Sequence, residues 1–361
     1  MNSSFWSGKK VLITGHTGFK GSWLSLWLKK LGAEVSGYAL APPTTPSLFH
    51  LAGLADKIMS IEGDIIDFPR LQETLKTVKP EIVIHMAAQS LVRASYSQPV
   101  ETFATNVMGT VHLLESVRQC DSVQALLCVT SDKCYENKEW YWSYRENEPM
   151  GGHDPYSSSK GCAELAVAAY RKSYFLGKSS VTQGCAIATV RAGNVVGGGD
   201  WALNRLVPDT MRAFMKKKAV VLRYPFSIRP WQHVLDPLCG YLCLVEKLWT
   251  SGSDFAEGWN FGPGDEDSRS VCWVVERLAK SWGDEAFWEA DENESPHEAH
   301  YLKLDSSKAR TRLKWKVILP IHQALEWTVA WYRAYHEDKD MGAFTMEQIH
   351  NFEELCRYDF S

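Results

Sequence analysis

An apolar run from Lys9 to Ile13 stops at Thr14-Gly15, and Gly15, Gly18 and Gly21 then follow at intervals of three. From Gly21 to Leu31 the apolar residues Trp23, Leu24, Trp27 and Leu28 recur with helical spacing. A buried strand that turns on glycine directly into a helix commits the start of the chain to a β-turn-α unit. Glycines so placed let backbone amides approach a pyrophosphate, while the helix presents its positive end to the same charge. A purely structural glycine turn is the alternative, and the position directly after a strand argues against it.

The pattern recurs. Strands are predicted at Glu34 to Tyr38, Lys57 to Asp64, Ile82 to His85, Ala125 to Thr130 and Ala186 to Arg191, with helices at Glu101 to Cys120 and Tyr156 to Tyr174. Alternation of this kind predicts an α/β fold with a Rossmann-type doubly wound parallel sheet. After Gly193 the composition turns to Gly, Pro and Trp, as at 197–201 and 229–231, which predicts loops over a cleft and a smaller α/β C-terminal substrate domain. The division expected is 1–191 with a return at 232–262 for the first domain, 192–231 and 263–335 for the second, and 336–361 as an extension. The charged stretch Asp284 to Glu298 reads as a solvated connection. The run with Trp327, Trp331, Tyr332 and Tyr335 reads as a packed helix.

Composition narrows the partners. A net charge of -4 spread over 361 residues leaves no basic stripe for nucleic acid. The first ten residues carry no apolar signal run, and no later segment reaches membrane-spanning length without charges, so a soluble cytoplasmic protein is expected. Nine cysteines without paired metal-ligand spacing point to reduced thiols and no metal.

Chemistry concentrates downstream. Tyr156 and Lys160 stand four apart on a predicted helix, which puts the Lys160 ammonium on the face of the Tyr156 phenol and favours its anionic, basic form. Ser131-Asp132-Lys133 places two titratable groups at the carboxyl end of a predicted strand, where doubly wound sheets assemble their sites; a surface Asp-Lys pair is the alternative. Asp64, with the Ile65 backbone beside it, stands where a carboxylate could accept from an adenine amino group, or it is a loop carboxylate. Ala39 and Leu40 occupy the place where an acidic residue often holds the ribose of NAD, which leaves NAD against NADP open. His85 reads as a packed histidine. His16 and Lys20 in the glycine turn touch phosphate or face solvent, and Trp201 and Trp231 line a cleft or pack in a core.

Taken together, Gly15-x-x-Gly18-x-x-Gly21, Asp64, His85-Met86-Ala87-Ala88-Gln89, Asn106 and Tyr156-x-x-x-Lys160 resemble the extended short-chain dehydrogenase/reductases, the NAD-dependent epimerases and dehydratases of sugar nucleotides. The resemblance spans most of the chain. It implies bound NAD held by Gly15, Thr17, Gly18, Phe19, Gly21, Asp64, Ile65, Ala87, Ala88, Gln89, Tyr156 and Lys160. An epimerase of this kind needs only a hydroxyl beside the tyrosine, whereas a 4,6-dehydratase also needs a base for the carbon 5 proton and an acid for the carbon 6 hydroxyl. Asp132 and Lys133 fit the second. Many related dehydratases carry Glu where this chain has Lys133; those acting on CDP-glucose resemble it in carrying Lys.

The implied catalytic set is therefore Ser131, Asp132, Lys133, Tyr156 and Lys160, with the division of acid and base between Asp132 and Lys133 open. Arginine and amides should converge on the diphosphate of the sugar nucleotide, and the candidates are Asn194 and Arg229, then Arg205 and Arg93. Resembling enzymes pair the two long helices across a two-fold axis, which implies a homodimer or homotetramer, and they serve 3,6-dideoxyhexose synthesis for cell-surface polysaccharide. The competing readings are another sugar-nucleotide dehydratase using GDP-mannose or dTDP-glucose, a 4-epimerase, and a non-catalytic NAD sensor.

Overall fold

Along β1 (Lys10–Thr14), Val11 and Ile13 enter one apolar core and Leu12 enters another. That two-sided burial is the signature of a parallel strand covered by helices on both faces. The computed structural model describes residues 2–176, 184–283, 286–291 and 301–359. The same alternation runs through β4 (Ile82–His85), with Ile82 and Ile84 in the first core and Val83 in the second, and through β5 (Ala125–Val129). With β2 (Glu34–Ala39), β3 (Met59–Glu62) and β6 (Ala186–Ala192) these form one parallel sheet. A seventh strand, β10 (Gly258–Phe261), lies parallel beside β6, giving the order β10-β6-β5-β4-β1-β2-β3. The order reverses between β1 and β4, so the crevice expected of such sheets opens at the carboxyl ends of these two strands.

Beyond the sheet, β7 (Asn194–Val196), β9 (Ile228–His233) and β11 (Ser268–Ser270) form a three-stranded sheet. β8 (Val220–Leu222) pairs with β12 (Trp288–Ala290). The stretch read as a solvated connection thus contains a strand; apart from residues 286–291 it lies outside the described residues. Helix Ile321–His336 buries Trp331 and Tyr332 fully, as its spacing predicted. Trp331 lies on Gly198, where a Cβ would stand 1.9 Å from its ring. The terminal helix Met341–Asp359 packs on the first long helix, Phe19–Lys30, through Trp27 and Phe352, and Trp27 Nε1 donates to Glu353.

The stretch Glu101 to Cys120 is not one regular helix. Pro99–Phe103 runs into a π turn, Ala104–Met108, before Gly109–Arg118. The catalytic-candidate helix Pro155–Tyr170 likewise ends in a π turn, Arg171–Phe175.

Candidate active site

The glycine turn divides its three glycines between two duties. Gly15 has φ +77°, and a Cβ there would stand 2.7 Å from the Ala87 nitrogen; one at Gly21 would stand 2.2 Å from the Gly15 carbonyl oxygen. Packing alone requires glycine at both. Gly18 caps helix Phe19–Lys30, and a Cβ there would meet only the Gly15 oxygen, at 3.4 Å. Its bareness leaves open floor at a helix amino terminus, which fits a pyrophosphate. Thr17 Oγ1 donates to the Leu40 carbonyl at 3.0 Å, tying the turn to the end of β2, and Phe19 faces Gly197. Asp64 accepts from the Ile66 amide through Oδ1 at 3.1 Å, so one of its oxygens is a loop acceptor, while Ile65 is buried against Gly109.

His16 neither faces solvent nor lies open to phosphate. It is fully buried over Gly37 and beside Phe49, its Nε2 is 2.8 Å from Ser60 Oγ, and burial lowers its pKa to about 4. Lys20 is half-buried, with its pKa lowered to about 8 by burial and by Arg205, while Asp132 and Asp200 oppose the shift.

A hydrogen-bonded chain unassigned by sequence reasoning joins this turn to the helix of Tyr156. Thr14 Oγ1 accepts from the Met86 and Ala87 amides at 3.1 and 3.2 Å, so its own hydrogen points to His85 Nδ1, 2.7 Å away. His85 then donates through Nε2 to Thr110 Oγ1 at 3.1 Å, and Thr110 donates to the Asn106 carbonyl at 2.7 Å. Burial, then Lys160, lowers the His85 pKa to about 3 and keeps this neutral tautomer. Asn106 sits in the π turn, a form frequent at functional sites. It accepts from the Gln89 amide and donates to the Gln89 carbonyl and to Ser159 Oγ, at 2.8, 2.9 and 2.8 Å. The Gln89 side chain is occupied by Leu91 and Thr102. Ala87 and Ala88 are half-buried beside it.

After β5 the chain makes a tight 3₁₀ turn, Asp132–Cys134, capped by Ser131, whose Oγ accepts from the Lys133 amide at 3.2 Å and donates to Asp132 Oδ1 at 3.0 Å. Ser131 and Asp132 are buried and Lys133 is half-buried. Helix Pro155–Tyr170 starts on Asp154, which accepts from the Ser157 amide and hydroxyl, and it buries Tyr156 and Lys160 on one face. Burial pushes the Tyr156 phenol up to about 12; a hydrogen bond with Ser131 and the charge of Arg205 act against this, and Asp132 acts with it. Burial lowers Lys160 to about 8, opposed by Glu164. Burial also raises Asp132 above the usual carboxylate range, against Lys133, Ser131, Arg229 and Lys20. The turn and the helix therefore bring Ser131, Asp132 and Tyr156 into one pocket.

Sequence reasoning missed the anchor beneath it. Glu164, one turn beyond Lys160, accepts from Arg191 Nε and Nη2 at 2.8 Å each, from Thr189 at 2.7 Å and from Thr130 at 2.5 Å. Arg191 Nη1 donates to Tyr135 at 2.6 Å, and Tyr135 to Asn260 of β10 at 2.7 Å. The available signal was an arginine inside a strand that is apolar but for Thr189.

Of the four substrate candidates, Arg229 is buried on β9 and acts electrostatically on Asp132, while Asn194 is half-buried on the neighbouring β7. Arg205 reaches toward Tyr156 but is held by Asp200 at 3.0 Å and Ser90 at 2.7 Å. Arg93 is exposed and bonds only weakly to Asn204, at 3.3 Å. Trp201 packs edge-on against Trp331, Tyr332 and Tyr335, and Trp231 donates to the Arg269 carbonyl, so both take the core reading. Among the described residues no cluster of His, Cys, Asp or Glu could hold a metal, and no helix is long and apolar enough to cross a membrane.

The family model described as GDP-mannose 4,6 dehydratase matches residues 12–328. The chain is 54% identical over 352 residues to the CDP-glucose 4,6-dehydratase of Salmonella typhimurium strain LT2, with 98% of each chain covered. It is 26% identical to a probable dTDP-glucose 4,6-dehydratase of Sinorhizobium fredii, over 90% of this chain and 92% of that one. Among solved structures, the dTDP-glucose 4,6-dehydratase of Bacillus anthracis in complex with NAD superposes with a TM-score of 0.74 at 21% identity, covering 93% of this chain and all of that one. The UDP-glucose 4-epimerase of Thermotoga maritima with UDP-glucose gives 0.76 at 21%, covering 90% and 99%. These last two likenesses are of fold.

Proposed function

The chain belongs to the GDP-mannose 4,6 dehydratase family, and from that premise we propose that it is an NAD-dependent hydro-lyase that converts CDP-D-glucose to CDP-4-dehydro-6-deoxy-D-glucose and water. The observation that carries this reading is the Ser131-Asp132-Lys133 turn set into the pocket of Tyr156. A 4-epimerase has no use for the second acid and base. The similarity to the Salmonella enzyme along almost the whole chain supports CDP-glucose as the substrate.

NAD would lie on the glycine turn, with Gly15, Thr17, Gly18, Phe19 and Gly21 beneath the pyrophosphate, Asp64 and Ile65 toward the adenine, and Ala87, Ala88 and Gln89 along the crevice. The open floor at Gly18 supports this placement. Bound there, NAD would supply the hydride acceptor for carbon 4 of the sugar and the hydride donor for carbon 6. Tyr156, with Lys160 as its charge partner, removes the 4-hydroxyl proton while Ser131 orients that hydroxyl. The ketone so formed acidifies carbon 5; Lys133 takes that proton and Asp132, whose protonated form burial favours, gives one to the hydroxyl leaving carbon 6. Arg229 on β9, whose charge acts on Asp132, and Asn194 on the neighbouring β7 would receive the diphosphate. The charge of Arg205 is already engaged by Asp200, and Arg93 is exposed with only a long bond to the neutral Asn204, which makes them the weaker pair.

We assign residues 1–191 and 232–262 to the cofactor domain, 192–231 and 263–335 to the substrate domain, and 336–361 to an extension; the place of β10 beside β6 supports the return. The exposed Val100, Phe103, Met108 and Leu165 support a homodimer or homotetramer built on the two stretches expected as long helices, Glu101 to Cys120 and Tyr156 to Tyr174, Val100 standing just ahead of the first. A cytoplasmic role in making 3,6-dideoxyhexoses for lipopolysaccharide O-antigen follows from the same resemblance. The test is incubation with NAD and, separately, CDP-glucose, dTDP-glucose, GDP-mannose and UDP-glucose, with mass analysis of each product. Loss of one water from CDP-glucose without net NADH is expected. An isomer of unchanged mass would make the protein an epimerase, and no reaction with any of the four would favour the NAD sensor.

A further inference from the structure

On the dehydratase reading above, Asp132 must come within a hydrogen bond of the hydroxyl on carbon 6. Its Oδ1 is already taken by the Ser131 hydroxyl at 3.0 Å, while Oδ2 accepts from no side chain or amide among the described residues. That free oxygen faces Gly193. A Cβ on this glycine would stand 3.3 Å from Asp132 Oδ2, 3.0 Å from Pro230 Cγ and 3.5 Å from the Pro230 carbonyl oxygen.

Gly193 joins β6 to β7, where the chain leaves the parallel sheet for the three-stranded one. It is half-buried, whereas Asp132 is 4% exposed, so the glycine lies on the open side of the acid. Its φ is not positive, and the backbone conformation therefore does not call for glycine; the space beside it does. A hydroxyl bonded to Oδ2 lies about 2.5–3.0 Å from that oxygen, and a methyl carbon at 3.3 Å would stand in nearly the same place. The spot is bounded by a ring carbon of Pro230 and by a carboxyl oxygen, which suits a CH₂ on the one and an OH on the other. Packing against Pro230 alone is the competing account of the bare Cα.

We propose, resting on the dehydratase reading, that Gly193 is a specificity-determining residue: its missing side chain leaves beside Asp132 Oδ2 the room in which the carbon 6 hydroxymethyl group of the sugar lies. A hexose with a free 6-hydroxyl gains a hydrogen bond to the acid before any bond breaks. A sugar that ends at carbon 5 gains none, and the site thereby selects hexose over pentose at the position where water is to leave.

With NADH bound in place of NAD no hydride can leave carbon 4, so affinity is read without turnover. Calorimetric titration of the NADH-loaded protein with CDP-glucose and with CDP-xylose, which ends at carbon 5, is expected to show CDP-glucose the tighter by at least about tenfold, in the range of one hydrogen bond to a carboxyl group. Gly193→Ala should bring the two dissociation constants to within about threefold of each other, by weakening CDP-glucose and leaving CDP-xylose where it was. Should that variant lose its native circular dichroism, Gly193→Ala combined with Pro230→Ala removes the ring carbon that a new methyl would crowd, keeps the methyl beside Oδ2 and should give the same convergence. Equal affinities for the two sugars in the unmodified protein would overturn the assignment. So would a folded variant that keeps the preference for CDP-glucose, since the glycine would then serve packing against Pro230. Failure of the unmodified protein to release water from CDP-glucose would instead overturn the dehydratase reading, and the place of carbon 6 with it.

Discussion

Tyr156 and Lys160 are both held away from their charged forms by burial, the phenol up to about 12 and the ammonium down to about 8, so at neutral pH each depends on what the pocket adds. Tyr156→Phe keeps the ring and removes the proton acceptor. It is expected to lower kcat on CDP-glucose by at least about 10²-fold with unchanged circular dichroism, and turnover near the original rate would remove the proposed base. Lys160 also makes a stability prediction. Its folded pKa lies below the unfolded 10.5, so the unfolded chain binds the extra proton between pH 8 and 10.5, and stability rises with pH across that window. At pH 7 the buried charge costs roughly 3 kcal/mol. Lys160→Met should therefore be inactive yet more resistant to urea at pH 7, with the difference fading above pH 10; equal stability of the two proteins at pH 7 would contradict this. That pair was legible because residue type and a spacing of four are both local. The burial of His16 was not, because the space for its ring is made by Gly37 of another strand.

At the scale of elements, strand β4 was read to the residue and β1, β2, β3, β5 and β6 to within one or two residues, because unbroken apolar runs bounded by glycine or charge have few alternatives, whereas β10 was expected only as part of the return at 232–262. The π turn at Ala104–Met108 left no such trace, since one extra residue in a helix does not disturb an apolar pattern enough to show. The link from helix Pro155–Tyr170 to β6 was equally hidden, for Glu164 and Arg191 meet only in space. Their pair makes the next prediction. Burial raises the Glu164 pKa, yet the charge and hydrogen bonds of Arg191, with those of Thr130 and Thr189, bring it below the ordinary 4.5. A depressed folded pKa means stability that is present above pH 4.5 and lost as pH falls through the folded value. Glu164→Gln leaves a buried guanidinium uncompensated and should cost about 3–5 kcal/mol in denaturant unfolding at pH 7, while flattening the acid limb of the stability curve. Adding Arg191→Met should recover part of that loss. A single variant as stable as the unmodified protein would mean that the pair does not anchor the helix.

Over the whole molecule, the alternation of strands and helices made the doubly wound sheet readable, because each βα unit must bury its apolar face on the strand before it. The docking of the terminal helix on Phe19–Lys30 was out of reach, since Trp27 and Glu353 are 326 residues apart and neither carries a mark of the other. Assembly is a problem of the same kind with a clearer trace on the surface. Helices Pro99–Phe103 and Pro155–Tyr170 pack side by side and leave Val100 81% and Leu165 61% exposed. Leu114, further along the same helical stretch, is buried in the core of the sheet. Covering a large aliphatic side chain contributes about 1.5–3 kcal/mol, and a two-fold axis counts each one twice. Leu165→Glu would place two carboxylates in that interface, so light scattering should give twice 40.8 kDa, or four times, for the unmodified chain and a mass shifted toward 40.8 kDa for the variant. The same helix carries Tyr156 and Lys160, so dissociation should also lower kcat, through a face that touches no substrate. A mass unchanged by Leu165→Glu would move the contact elsewhere on the molecule, and an unmodified chain of 40.8 kDa would leave that apolar face without a second copy to cover it.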